Sequence, residues 1–350
     1  MKNLILTLFC GLAGWLSAQN THYVNQTASG SNNGSSWTNA YISLNAALTA
    51  AQPGDEIWVA QGTYKPTLDA NNQTGNARFY SFKLKDSVRV YGGFTGTENQ
   101  KTQRNWRQNK TTLSGDVGVA NIDTDNTIHV VTATGSLSKE TRIDGFTIEK
   151  GYANVAGQIP ASDLCCTGGG LFAKGSVKAV FKNLVFENNY ALRGGALYIE
   201  GTQIDPATSM GTFQDDFYVI NCTFKNNTSQ FAGKAVFLFK AKVFFFNCLF
   251  FNNHDINPVH SSTIADNYNS RINIINCSLL GDDFDNDIFS VDPFYSDTLN
   301  MYNTIHSGGR WNRSNLISRV YHTQGYVPCM DSTFFDSSFW TTSKAISAPF

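Results

Sequence analysis

The sequence predicts an all-β chain, a single-stranded parallel β-helix or solenoid, with a short capping helix near its start. Three observations predict it. An Asn pair recurs behind short apolar stretches, a Gly pair recurs between them, and residues within each stretch alternate apolar and polar. Aligned on the Asn pair, IDGFTIEKGYA (143–153) lies above FKNLVFENNYA (181–191), VINCTFKNNTS (219–229), FFNCLFFNNHD (245–255) and IINCSLLGDDF (274–284). The successive offsets are 38, 38, 26 and 29 residues. The glycine series GGGLF (168–172), GGALY (194–198) and GKAVF (233–237) falls between them. Repeats spaced by roughly 20–50 residues mark stacked architectures. The alternation in NCTF and NCLF is the period of a strand. With no helix between strands, each coil lays its strands beneath those of the last, about 4.8 Å away. The rival leucine-rich solenoid needs LxxLxLxxN, which the chain lacks.

Composition agrees. Among 350 residues, 26 Phe, 14 Tyr and 29 Gly favour strands joined by tight turns. Charged residues are only 15% and the net charge is −1. A nucleic-acid partner would call for a basic surface, so that class is set aside.

In chain order, residues 1–18 read as a secretory signal. Lys2 supplies the positive start, Leu4 to Trp15 the apolar run, and Leu16-Ser17-Ala18 the cleavage site. Phe9 before Cys10 fits a lipoprotein box poorly, so export without a lipid anchor is expected. No later segment is apolar for long enough to span a bilayer, so no transmembrane span is expected in the mature chain. Residues 19–60 form the N-terminal cap and first strand. Leu44, Ala47, Leu48 and Ala51 share one helix face, Pro53-Gly54 stops the helix, and EIWVA begins the strand. Residues 61–300 form the solenoid. Residues 301–350 read as an irregular segment and a candidate C-terminal cap. The ending SKAISAPF is abrupt, which leaves open a longer natural chain.

The Asn pairs, Asn188-Asn189, Asn226-Asn227 and Asn252-Asn253, are expected at corners. Asn tolerates the left-handed conformation there, and stacked amides can bond from coil to coil. The Gly pairs serve another corner, where a side chain has no room. Cys222, Cys248 and Cys277 share one repeat position, filled by Phe146 and Leu184 in earlier coils. They are therefore expected to point inward as packing residues, and a metal or disulfide role is the rival. Cys165, Cys166 and Cys329 lie outside that column; a bridge from one of the pair to Cys329 stays open.

The GG-[AG]-Φ and F-x-N pairing resembles the repeats of chlamydial polymorphic outer membrane proteins. The wider pattern is similar to secreted proteins of the pectin-lyase-like class. It includes YVNQTASGSNNGSSWTNAYISLNAAL, GDEIWVAQGTY, LSGDVG, HVVTATG, and HSGGRW with VPCMD. The resemblance spans roughly residues 22–335 and implies a right-handed β-helix. Its members include adhesins, polysaccharide lyases and glycoside hydrolases, so the fold alone does not choose an activity.

Hydrolysis in this class needs grouped outward carboxylates. Only Glu149 and Glu187 meet that description, with Arg193 beside the Gly corner as a candidate base. Phe245 and Phe251 are read as outward aromatics able to stack on sugar rings. Asp283, Asp285 and Asp287 in GDDFDND alternate as the early ligands of a calcium loop do, and Asp123 and Asp125 make a poorer copy. Calcium is thus the one cofactor the sequence suggests. GxSxG, HExxH, Walker and dinucleotide motifs are missing. The reading is an exported or cell-surface module that binds an extracellular polysaccharide or surface protein without catalysis. A polysaccharide lyase or glycoside hydrolase is the alternative.

Overall fold

The computed structural model describes residues 19–120, 122–154, 166–202, 216–256, 262–267, 270–280, 287–290, 298–307 and 317–321. Among the described residues the strands form four parallel sheets, three long and one shorter, stacked along a right-handed β-helix. The ten-stranded sheet runs in strict chain order from Thr21–Val24 to Ile317–Tyr321, and the eight-stranded sheet from Gly62–Tyr64 to Ile305–Ser307. The seven-stranded sheet runs from Phe82–Lys83 to Asp287–Ser290, and the four-stranded sheet from Tyr152–Ala153 to His254–Asp255. Parallel strands need a crossover; here the rest of each coil provides it.

One coil shows how sequence makes the shape. Val180–Lys182 lies in the ten-stranded sheet, Val185–Glu187 in the eight-stranded, Tyr190–Arg193 in the four-stranded and Leu197–Glu200 in the seven-stranded. Three residues turn the corners, each in the left-handed region: Asn183 (φ 53°), Asn188 (φ 56°) and Gly194 (φ 63°). Gly195 serves close approach instead. A Cβ there would come within 2.4 Å of the Thr228 carbonyl oxygen in the next coil.

The Asn pair divides its labour. Asn188, Asn226 and Asn252 take the left-handed turn, with φ between 50° and 56°. Asn189, Asn227 and Asn253 point inward and are buried. Asn189 Nδ2 donates to Asn227 Oδ1 at 3.0 Å, and Asn227 Nδ2 donates to Asn253 Oδ1 at 3.0 Å. Each such amide bond contributes about 0.5–1.5 kcal/mol net.

Apolar side chains fill the interior in columns. Phe186, Phe224 and Phe250 stack with ring centroids 4.9 and 4.6 Å apart and nearly parallel planes. Cys222, Cys248 and Cys277 form a buried column of free thiols. Each Sγ reaches backbone carbonyls, as Cys248 does to Val219 and Phe246 at 3.4 Å. Burial pushes the Cys248 thiol well above its usual range; hydrogen bonding to Cys248, then burial, raises that of Cys277. They are packing residues. Cys165 and Cys329 lie outside the described residues, and with them the bridge that the sequence leaves open from Cys165 or Cys166.

Both ends depart from the sequence expectation. The helix Leu44–Ala50 does cover the start, burying Leu44, Ala47 and Leu48. A strand at Thr21–Val24 nevertheless precedes it and pairs with Glu56–Ala60, so EIWVA is the second strand and not the first. At the other end the solenoid passes residue 300. Thr298–Tyr302 pairs with Arg271–Ile275, Ile305–Ser307 with Ser278–Leu280, and Ile317–Tyr321 with Thr298–Tyr302. The part of 301–350 expected to be irregular therefore begins with further coils. Among the described residues no helix is long and apolar enough to cross a membrane.

Candidate functional site

Register on the eight-stranded sheet puts Ser114, Glu149, Glu187, Lys225 and Phe251 in one outward column. The two sequence-predicted glutamates are thus direct neighbours. Glu187 is buried between two ammonium groups: Lys110 Nζ lies 2.9 Å from Oε1 and Lys225 Nζ 2.6 Å from Oε2. Burial raises its pKa, but the bonds from Lys225 and Lys110 outweigh that and hold the carboxyl below the ordinary range. Glu149 goes the other way. Burial pushes its carboxyl up, the charge of Lys110 opposes this, and neighbouring Glu187 adds to the rise. Beside them Lys150 Nζ lies 3.0 Å from Asp116 Oδ2, while buried Asp116 Oδ1 has no hydrogen-bond partner.

Lys150 stands at the corner that asparagines occupy in later coils and takes the same left-handed turn, φ 59°. Past that corner the chain enters the four-stranded sheet, where Tyr152 and Tyr190 are register partners. Their rings stack at 4.6 Å, planes 19° apart. The pair lines a cleft of about 230 Å³ with Lys150, Asp123, Asn126 and Asn188. Arg78 braces its wall, donating from Nη2 to the Tyr152 and Asn154 carbonyls at 3.0 Å and from Nε to that of Asn126 at 3.2 Å. The Tyr190 hydroxyl donates to Gln230 Oε1 at 3.1 Å. Burial first, then the Tyr152 phenol, push the Tyr190 phenol up to about 12, so it stays neutral. Asn126 is 2% exposed, yet its Oδ1 has no partner.

Other candidates fall elsewhere. Arg193 lies on the four-stranded sheet with its guanidinium 5.7 Å from the Phe237 ring centre, apart from the carboxylate column. Phe245 does not face outward. It is fully buried, edge-on to Phe224 and Phe250 at 6.4 and 5.7 Å. The left-handed turn at Asn247 resets the alternation, so Phe244 and Phe246 face out instead. Tyr218 and Phe244 stack there at 5.3 Å. Phe251 does lie on the outer face, one coil beyond Lys225. Asp283 and Asp285 lie outside the described residues, and Asp287 opens the strand Asp287–Ser290. Asp123–Asp125 is a 3-10 turn in which Asp125 Oδ2 accepts from the Val119 amide at 2.8 Å. Among the described residues no three His, Cys, Asp or Glu side chains converge as a metal ion needs.

Sequence reasoning missed Lys110, Asp116, Lys150 and the tyrosine pair. The tyrosines were visible as EKGYA above ENNYA in the aligned repeats.

No protein-family model matches the sequence, and no curated protein does. Among solved structures the chain is similar to a rhamnogalacturonan lyase, at a TM-score of 0.53 and 15% identity, over 83% of this chain and 69% of that one. It is also similar to a pectate lyase, Pel9A, at a TM-score of 0.46 and 17% identity, over 87% and 75%. The first likeness shows the fold, the pectin-lyase-like parallel β-helix, and leaves the activity to the site.

Proposed function

We propose that this is an exported or cell-surface protein that binds an extracellular polysaccharide along its outer face without cleaving it. The stacked Tyr152–Tyr190 pair in the cleft carries the reading. Aromatic faces bury apolar area while the polar groups around them orient a ligand, as carbohydrate recognition requires. A solenoid supplies the long regular surface that a polymer needs. The leader-like residues 1–18 support export, and the name of the rhamnogalacturonan lyase supports a polysaccharide as ligand class. The test is affinity electrophoresis in gels carrying soluble polysaccharides. At least one polymer should retard the chain, and Tyr152→Ala or Tyr190→Ala should weaken retention at least tenfold. Retention that both variants leave untouched would refute the cleft as the site.

A second reading, glycoside hydrolysis, has one observation in its favour. Glu149 and Glu187 are neighbours whose environments push them apart, one towards a neutral acid and one towards a charged base. It ranks second because both Glu187 oxygens are already held by lysines. Release of reducing ends, lost in Glu149→Gln, would reverse the order; an unsaturated product absorbing in the ultraviolet would instead mark a lyase.

A further inference from the structure

We propose that the cleft takes the end of a glycan chain, and that a loop at its foot excludes chain interiors. This rests on the reading of the cleft as a glycan site and concerns which part of the polymer enters it. The side chains that line the cleft repeat from coil to coil. Lys150, Asn188 and Asn226 hold one left-handed corner, and Tyr152, Tyr190 and Thr228 are register partners in the strand after it. The cleft therefore runs parallel to the solenoid axis, with successive coils about 4.8 Å apart.

One coil earlier that path is blocked. Ser114 is the register partner of Glu149, so the corner of that coil falls at Gly115. The chain does not turn there into a strand. It leaves as a loop and returns at Thr127, whose amide donates to the Gly115 carbonyl at 2.8 Å and whose carbonyl accepts from the Tyr152 amide at 2.8 Å. The loop is thus an insertion at the corner, pinched at its base, in the coil next to Lys150 and Tyr152. Val119 and Ile122 are 66% and 48% exposed, so its tip stands clear of the solenoid, while Asp123 and Asn126 line the cleft. It is also braced. Asp125 Oδ2 accepts from the Val119 amide at 2.8 Å, the Asn126 carbonyl accepts from Arg78 Nε at 3.2 Å, and Lys150 Nζ holds Asp116 at 3.0 Å. Such bracing makes the loop a fixed wall.

Toward later coils the described residues leave the path open. The corners at Asn226 and Asn252 are single left-handed residues that lead two positions on into Thr228–Ala232 and His254–Asp255. Asn226, Asn252 and His254 are exposed. A groove walled at one end and open at the other admits a chain end, whereas a chain interior has to leave on both sides. A chain end also carries a hydroxyl that interior units have lost to a glycosidic bond. The exposed Asp123 carboxylate, on the wall, is an acceptor for that hydroxyl.

The experiment titrates the purified chain, by calorimetry, with galactan, mannan, β-glucan and polygalacturonate, each intact and after mild acid hydrolysis to shorter chains of measured length. For at least one polymer, the protein bound per gram should rise in proportion to the number of chain ends. A variant with residues 118–124 replaced by two glycines opens the wall, and its binding per gram should not change on hydrolysis; an unchanged circular dichroism spectrum checks its fold. If that variant does not fold, the length series decides alone. If hydrolysis leaves the parent's binding per gram unchanged and Tyr152→Ala abolishes it, the cleft is a glycan site that takes chain interiors and the inference is wrong. A folded variant that still counts ends would overturn the loop as the wall. If no polymer binds, both readings fall together.

Discussion

Asn226 and Asn227 are chemically identical neighbours with opposite roles, and substitution should separate them. Asn226 is exposed and holds a left-handed turn at φ 54°, a conformation glycine adopts without strain. Asn227 is fully buried, donates to the Phe186 and Lys225 carbonyls and to Asn253, and accepts from the amide and side chain of Asn189. Removing it strands several buried groups at about 1–3 kcal/mol each. Asn227→Ala should therefore cost at least about 3 kcal/mol in chemical denaturation, while Asn226→Gly should stay within about 1 kcal/mol of the parent. Equal losses in the two variants would contradict the division of labour. The corner was legible in the sequence because Asn is the residue that tolerates it, but nothing in the letters says which of two asparagines turns. A second left-handed column, Asn183, Asn221, Asn247, Asn276 and Asn303, bends the chain at another corner. Strict alternation carried through that bend puts Phe245 on the wrong face, which is why its burial was not legible in the sequence.

At the scale of the strand, one outward column contains both a favourable and an unfavourable carboxylate, and pH separates them. The folded-state pKa of Glu187 is depressed, so its stabilisation is fully present above the unfolded value near 4.5 and is lost as pH falls through the lower folded value. Glu149 has the opposite sign. Its folded pKa is raised, so the folded state binds the extra proton, and stability declines as pH rises from about 4.5 through the raised value. Glu149→Gln should thus raise the melting temperature at pH 7 and flatten the profile above pH 4.5, with no gain at pH 3. Glu187→Gln should lower the melting temperature at pH 7, because Lys110 and Lys225 are left facing each other uncompensated. A Glu149→Gln variant that melts lower than the parent at pH 7 would show the carboxylate to be favourably paired. The two glutamates were legible because parallel register copies the repeat alignment onto space. Their lysines were not: Lys110 precedes the strand Thr111–Ser114 and lies 77 residues from Glu187 in sequence, and Lys150 replaces the Asn that marks the corner. Asn126, which also lines the cleft, follows a turn outside every repeat, so no alignment of the coils points to it.

For the whole molecule, a stack of coils depends on its ends, and those were the least legible parts. The strand Thr21–Val24 escaped because the helix and its loops separate it from its partner Glu56–Ala60, hiding the period. The later coils escaped because Thr304 stands where Cys222, Cys248 and Cys277 stand earlier. Its Oγ1 reaches the Ile274 and Tyr302 carbonyls just as the thiols reach theirs. The capping helix is where this dependence is best tested. An uncovered terminal coil presents unpaired strand edges and apolar interior to any other chain. Leu44 and Leu48 are 2% and 6% exposed and lie on the helix face packed against the first coil, where Asn45 Nδ2 also bonds the Ser81 carbonyl. Placing aspartates at both positions buries charge without partners, at several kcal/mol, or detaches the helix. The double variant Leu44→Asp, Leu48→Asp should unfold at lower denaturant and scatter light in proportion to concentration. Thr49→Asp on the exposed side of the same helix should stay within about 0.5 kcal/mol of the parent. A double variant that stays dispersed with an unchanged midpoint would mean that the helix is an appendage and that the first coil protects its own edge.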